Sequence, residues 1–562
     1  MKFSRLHLVG IAAVLTAASW WSIAIDAFQI PLSAAVDGVV VDDLGRSVPR
    51  ARVALLDSKW AIVRSAATDA SGKFVFAQLP AGSFLLAVSK GGYAEAMFGQ
   101  FQPGRPGATL VLGESSRRSV VAKLPRGAVI AGTVLDWEGR PHFGTSIRAM
   151  RWVTRNGQRT LESAGAFLAT ESRGSYRLHG LEAGTYVLVA TSPLGYATEF
   201  RRSGDESHDS GMIFHRVYYP SARTPGTATP VTVAAGDELT GIDFRIAPVP
   251  SARVEGRLVY PGDGQFAPMR VELQAEGDRD PYISPPSSTV ATDGRFSIAG
   301  IPPGRYTVVS AARARASRPE DGWLWGTTEA IATANANASA DVILNLQPGA
   351  TVTGKLVFDG QAATPDLRSL TLDLRASEGP FRFQGSGQVP FLVEPVGTFR
   401  FTGVPPGTYS LSGRFVRPPW VLLSAMSRGR DILDFPIELK SAQVLGDLEV
   451  TLTDRLPQLS GQVVAADGKP MFECAVLVFP VDRRYWRSLS RRVRILQPDI
   501  DGRYSIQDLP PGEYHVAAII DPLESDEPSP ELLDALLTRS SRVTLGLGTK
   551  ISQDLKLRTA RH

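Results

Sequence analysis

One hairpin, written five times, constrains this chain more than any other feature of its sequence. Its clearest copy is residues 291–312, ATDGRFSIAGIPPGRYTVVSAA. Asp293-Gly294 supplies the residues of a tight turn, because glycine reaches positive φ without a steric penalty. Phe296 and Ile298 then alternate with Arg295 and Ser297, the period of a half-buried strand. Pro302-Pro303-Gly304 turns the chain again, and Tyr306 and Val308 resume the alternation on a second strand. The other copies run Gly72-Lys73-Phe74 to Pro80-Ala81-Gly82, Gly174-Ser175-Tyr176 to Glu182-Ala183-Gly184-Thr185-Tyr186, Gly397-Thr398-Phe399 to Pro405-Pro406-Gly407-Thr408-Tyr409, and Gly502-Arg503-Tyr504 to Pro510-Pro511-Gly512-Glu513-Tyr514.

Each hairpin is preceded by a strand that carries glycine between two apolar residues of one face. These are Val36-x-Gly38-x-Val40, Ile130-x-Gly132-x-Val134, Val254-x-Gly256-x-Leu258, Val352-x-Gly354-x-Leu356 and Leu459-x-Gly461-x-Val463. Glycine inside a strand marks close approach of a neighbour, and the aromatic of the following hairpin is the expected one. About a hundred residues with some seven short strands is the pattern of a Greek-key β-sandwich. The expectation is an all-β chain of five such domains in tandem, at 34–126, 127–249, 250–349, 350–454 and 455–562, after an N-terminal hydrophobic segment at 1–33. Short proline-bearing joints such as Ala247-Pro248-Val249-Pro250 are expected to stiffen the array into a rod.

The combination of apolar-x-Gly-x-apolar, D-G-x-F and P-P-G-x-Y resembles the carboxypeptidase regulatory-like domain, a transthyretin-like sandwich similar in shape to Cna-B-type and starch-binding-like domains. The third, fourth and fifth repeats fit best, and the first two lack the double proline. The resemblance implies a non-catalytic module, found as an appendage of peptidases and as tandem arrays in exported bacterial proteins.

Lys2 and Arg5 precede an apolar run from Leu6 to Ile25, which reads as a cleaved export signal or as a single uncleaved membrane anchor. Either reading exports the rest to the periplasm, the outer surface or the medium. A net charge of +4 over 562 residues argues against a nucleic-acid partner. The lone cysteine, Cys474, precludes an internal disulfide framework and reads as a buried hydrophobe or a reactive thiol.

Catalytic, cofactor-binding and metal-ligating residues are not expected. His179-Gly180-Leu181-Glu182 has the spacing of two zinc ligands, but it falls in a hairpin and lacks a third ligand. His208 and His215, with Asp205, Glu206 and Asp209, form either a solvated loop or a divalent-cation cluster. Lys355 points away from the Val352 and Leu356 face, which disfavours an isopeptide cross-link. Two sets of residues are candidates for ligand binding. Tyr218, Tyr219, Trp323, Trp325 and Trp420 lie in loops where their rings either stack on sugars or pack on their own sandwiches. Arg483, Arg484, Arg487, Arg491, Arg492 and Arg494 surround Tyr485 and Trp486 and form either an anion-binding patch or a solvated surface. The expected role is therefore structural or binding, with a polysaccharide or another envelope protein as partner. Carbohydrate binding through the aromatic loops is the alternative.

Overall fold

A computed structural model describes residues 34–557, apart from 102–103, 156–157, 166–167, 193–211, 262–265, 276–284, 315–322, 334–339, 379–380, 382–390, 395, 416–418 and 521–526. The apolar segment before residue 34 and Asp205, Glu206, His208 and Asp209 lie outside the described residues, whereas His215 lies within them. The described residues are all-β, as the alternation predicts, with one short α-helix among them at Pro530–Leu536. Its strands form pairs of sheets that face each other across separate apolar cores.

The third repeat shows the plan. Its opening strand, Ala252–Val259, is central in a three-stranded sheet. It runs antiparallel to the hairpin strand Arg295–Ile301 and parallel to the closing strand Ala340–Asn345. The second sheet contains Phe266–Ala275, Gly304–Ala314 and Trp323–Ala332. Alternate residues of both sheets, such as Val254, Val271, Leu273, Phe296, Ile298 and Tyr306, meet in the core.

The repeated glycines and aromatics interlock. Gly38, Gly132, Gly256, Gly354 and Gly461 sit directly opposite Phe74, Tyr176, Phe296, Phe399 and Tyr504 on the neighbouring strand. A Cβ at any of the five glycines would lie between 1.9 and 2.3 Å from a carbonyl oxygen of the closing segment. The space is taken by backbone on one side and, in most copies, by the ring on another. Tyr176 uses it further, its hydroxyl donating to the Ile242 carbonyl at 2.5 Å.

The second aromatic of the motif has a polar task. Tyr186, Tyr306, Tyr409 and Tyr514 each donate their hydroxyl to the carbonyl four residues back, at Glu182, Pro302, Pro405 and Pro510, over 2.6, 2.6, 2.9 and 2.6 Å. Each ring thus fills the core while its hydroxyl pins the turn, as in the tyrosine corner of other sandwiches. Phe84 takes this place in the first repeat and has no hydroxyl to donate. The second repeat's departure from double proline is also accounted for, because Glu182 pairs with Arg151 at 2.7 Å and the guanidinium lies over Tyr186.

The hairpin glycine differs from expectation. Gly294 takes positive φ at the turn, but Gly304 begins the strand Gly304–Ala314 outside the left-handed region. The left-handed residue is Gly300 (φ 70°), at a bulge where the pairing of Ala252–Val259 slips by one residue. Gln78, Gly180 and Gly403 occupy the same bulge in the first, second and fourth repeats. A Cβ on Gly300 would meet nothing, so its cost is conformational alone. Gly300→Ala is expected to destabilise by about 1 kcal/mol, and Gly304→Ala by much less. Equal losses in thermal unfolding would refute this assignment.

The ends of the array meet, which departs from the expected rod. Phe472 and Ile500 of the last repeat pack on the core of the first, and Phe101 of the first packs on an outer cluster of the last. The Ile500 amide donates to the Thr109 carbonyl at 3.1 Å. Gln497 reaches Gly99 O at 3.1 Å, while Arg118–Asp501 and Lys123–Glu473 close to 2.8 and 2.9 Å. Short joints do stiffen the array, but a stiff joint with a fixed rotation curves a chain of similar units. Scattering in solution is expected to give a longest dimension well below the roughly 150–200 Å of five sandwiches end to end. An extended profile would contradict closure.

Candidate functional site

A dense polar constellation among the described residues lies where the fourth repeat meets the fifth, and three of the expected arginines help to build it. After the strand Ala475–Pro480, the chain leaves the sheet in a short 3-10 turn, Arg483–Tyr485, capped by the Asp482 carboxylate. The residues that follow bring Arg491 and Arg492 against the loop 431–435. Asp434 is 5% exposed as a residue. Arg491 grips its carboxylate in a two-pronged pair, both contacts 3.0 Å. Arg492 Nε adds a third bond at 2.9 Å. Arg491 also donates to Asp431 at 3.0 Å and to the Leu423 carbonyl at 2.9 Å. Arg492 reaches the Pro511 carbonyl at 3.1 Å and Tyr514 at 3.3 Å. Burial pushes the Asp431 carboxyl above its ordinary range, opposed by Arg491 and by two backbone amides. Phe435 packs against Tyr485 and takes the Arg487 guanidinium over its ring at 5.3 Å.

The six arginines therefore do not form one open anion-binding patch. Arg491 and Arg492 are spent on the joint, and Arg487 is laid on it. Arg494 pairs with Asp508, Arg483 with Asp534 of the helix and Arg484 with Asp482. The sequence shows cations in a run, but apart from Asp482 their carboxylate partners come from other segments.

The aromatic set is also drawn inward. Tyr218 is buried with Met150, Val187 and Val189, and Tyr219 packs edge-on against Phe244. Trp420 is 4% exposed and donates its Nε1–H to the Ala363 carbonyl at 3.1 Å, so it has no face for a sugar. Trp323 and Trp325 stack on each other at 5.7 Å and are half-buried. Trp325 donates to the carbonyl of Gly403, the bulge glycine of the next repeat, at 2.8 Å, and packs on Phe381. Both rings belong to the joint between the third and fourth repeats. That correction has a simple cause: a loop aromatic beside a short joint meets the next domain before it meets solvent.

The rings left open are others. Trp137 and Phe143 are 47% and 68% exposed, in the turn after the glycine strand of the second repeat. Trp137 neighbours Phe214 at 5.9 Å, which in turn faces His142 at 5.5 Å. Asp136 fixes this turn by accepting from the Glu138 and Arg140 amides and pairing with the Arg140 guanidinium. Trp60 stands out at the tip of a hairpin in the first repeat. A signal for both was present in the sequence, since each aromatic lies within a polar turn rather than next to a joint.

The remaining candidates resolve individually. Cys474 is buried and its thiol is pushed up to about 12 by burial, so little thiolate exists at neutral pH. His179 is exposed on a hairpin strand. Among the described residues, no group of three or more His, Cys, Asp or Glu side chains could hold a metal ion. His515 Nδ1 lies 2.9 Å from Ser540 Oγ, but that hydroxyl donates to the Leu537 carbonyl. The Ser540 hydroxyl is thus shared between the imidazole and the Leu537 carbonyl. Lys355 points outward and pairs with Glu449 at 2.8 Å.

Residues 35–120 match the carboxypeptidase regulatory-like domain. No curated protein matches the chain. Similar solved structures include a streptococcal ancillary pilin, at 13% identity and TM-score 0.21, covering 56% of this chain and 99% of that one. The Bacillus anthracis TIE protein has 13% identity and TM-score 0.15, covering 72% and 70%. The major pilin subunit of Bacillus cereus has 11% identity and TM-score 0.14, covering 75% and 99%.

Proposed function

We propose that this chain, whose residues 35–120 form a carboxypeptidase regulatory-like domain, is an exported, non-catalytic structural or binding protein of the cell envelope. One observation carries the reading. The features that recur in the repeats, the strand glycine, the facing aromatic and the tyrosine of the corner, are consumed by folding and offer no reacting group. What varies between repeats is spent on joints or displayed in loops. A protein organised this way presents surfaces on a fixed frame. Export follows from the basic residues and apolar run at 2–25. The test is a reporter enzyme that folds only outside the cytoplasm, fused to the C-terminus. Activity in intact cells supports the reading, and an inactive, cytoplasmic fusion overturns it.

A carbohydrate partner is the second reading, favoured by the open rings of Trp137 and Phe143 beside Glu138 and Arg140. Sugar rings stack their C–H faces on aromatics while planar polar side chains take hydroxyls. A glycan array whose signal is lost in Trp137→Ala supports it. An array with no signal, or with signal unchanged in that variant, removes it.

A further inference from the structure

We infer that the first repeat carries a docking edge for an extended, acidic segment of another protein, added as an extra strand. The inference rests on the binding reading above and names a surface for it. The strand Ile62–Ala67 ends its sheet, paired on one side only, with Arg52–Leu56. Nearly all of its residues are exposed, and among the described residues no other strand covers its outer edge. An edge of this kind presents a row of free amides and carbonyls, which natural proteins usually blunt with charge, proline, shortness or a cover.

The other repeats follow that custom. The corresponding outer strand is the polar QRTLES of Gln158–Ser163 in the second repeat and the three-residue SST of Ser287–Thr289 in the third. In the fourth the outermost described strand of that sheet is Leu370–Glu378, whose leucines are buried, and in the fifth it is Arg494–Leu496, three residues and half-buried. Among the described outer strands of these sheets, Ile62–Ala67 alone carries large apolar side chains, Ile62 and Val63, that are exposed. Trp60 and Ile62 are 58% and 54% exposed, and the turn leading to them is held by Asp57, which accepts from the Lys59 and Ala61 amides at 2.8 and 2.9 Å.

Charge selects the occupant. Residues 50–67 hold four cations, Arg50, Arg52, Lys59 and Arg64, against the one carboxylate of Asp57. All four are exposed. A second copy of this edge would set those cations against themselves. A strand that alternates apolar residues with Asp or Glu would satisfy the free backbone row, pack on Trp60 and Ile62 and neutralise the cations.

The probe is a synthetic peptide alternating Val with Glu and Thr, added to the whole protein and read by amide hydrogen exchange. Protection is expected at residues 62–67, weakening with salt. Arg64→Glu, an exposed change, is expected to lower affinity about tenfold. A peptide N-methylated along its pairing edge is expected not to bind. Equal protection by a peptide with Lys in place of Glu, protection elsewhere, or none at all would overturn the proposal. So would self-association of the peptide-free protein through this edge. Because export is read by the separate reporter fusion, failure here leaves the envelope reading standing.

Discussion

Gly256→Ala is expected to destabilise the third sandwich by about 3 kcal/mol or more, the upper range for overpacking a filled site. The added methyl would lie 2.2 Å from the Val342 carbonyl oxygen and 2.9 Å from the Phe296 ring. A ring can rotate, but the carbonyl belongs to a strand running parallel through six paired positions, from Val254 with Ala340 to Val259 with Asn345. Relieving the clash requires the closing strand to move away, which breaks that ladder. Two controls isolate the cause. Arg257→Ala, on the exposed face one residue on, is expected to change stability by less than about 0.5 kcal/mol. Adding Phe296→Leu to Gly256→Ala is expected not to restore stability, because the main obstacle is backbone. Proteolysis monitored by mass spectrometry would show whether the loss begins in residues 252–346. A fully tolerated Gly256→Ala would mean that the closing strand is not where the structure places it.

That glycine also shows how far the sequence could be read. Its place between apolar residues, followed by D-G-x-F, identifies strand, facing ring and sandwich, because period-two alternation and turn chemistry are local properties. The helix at Pro530–Leu536 rests on equally local chemistry: Ser529 accepts from the Leu532 amide, Pro530 opens the first turn, and Leu533 and Leu536 are buried. The bulge was not legible from one copy. Ala299-Gly300 and Pro303-Gly304 both look like turn glycines, and only the pairing slip opposite Ala252 and Arg253 shows which takes positive φ.

The surfaces were less legible than the cores. Trp325 reads as an open ring until Gly403, 78 positions later, takes its indole hydrogen. Arg491 reads as a free cation until Asp431 and Asp434 arrive from the preceding repeat. Closure of the array depends on the angle at every joint, which no single joint sequence specifies. Pattern therefore finds what lies within a sandwich, while the fate of a loop depends on partners that pattern does not connect.

The joint between the fourth and fifth repeats gives the second large effect. Asp434→Ala is expected to cost about 3–5 kcal/mol, the range for removing one partner from a buried ion pair. The carboxylate is 1% exposed and receives three guanidinium bonds, so its loss leaves two largely buried guanidinium groups, 18% and 13% exposed, without the anion they share. Arg491 would keep Asp431, but Arg492 would keep only uncharged partners, the Pro511 carbonyl, the Tyr514 hydroxyl and the Tyr485 ring. Asp434→Asn is expected to cost less, because an amide oxygen still accepts, although one acceptor position becomes a donor facing arginine. The decisive comparison is the triple replacement of Asp434, Arg491 and Arg492 by apolar residues. If the penalty comes from stranded charge, the triple variant is expected to recover much of the stability lost in Asp434→Ala. If the triple variant is worse than Asp434→Ala, the cluster instead contributes net binding between the repeats. Calorimetry can also show where the effect falls. In the wild type the fourth and fifth repeats are expected to melt together, and in Asp434→Ala as two transitions. A single unshifted transition in the variant would show that Asp434 does not hold this joint.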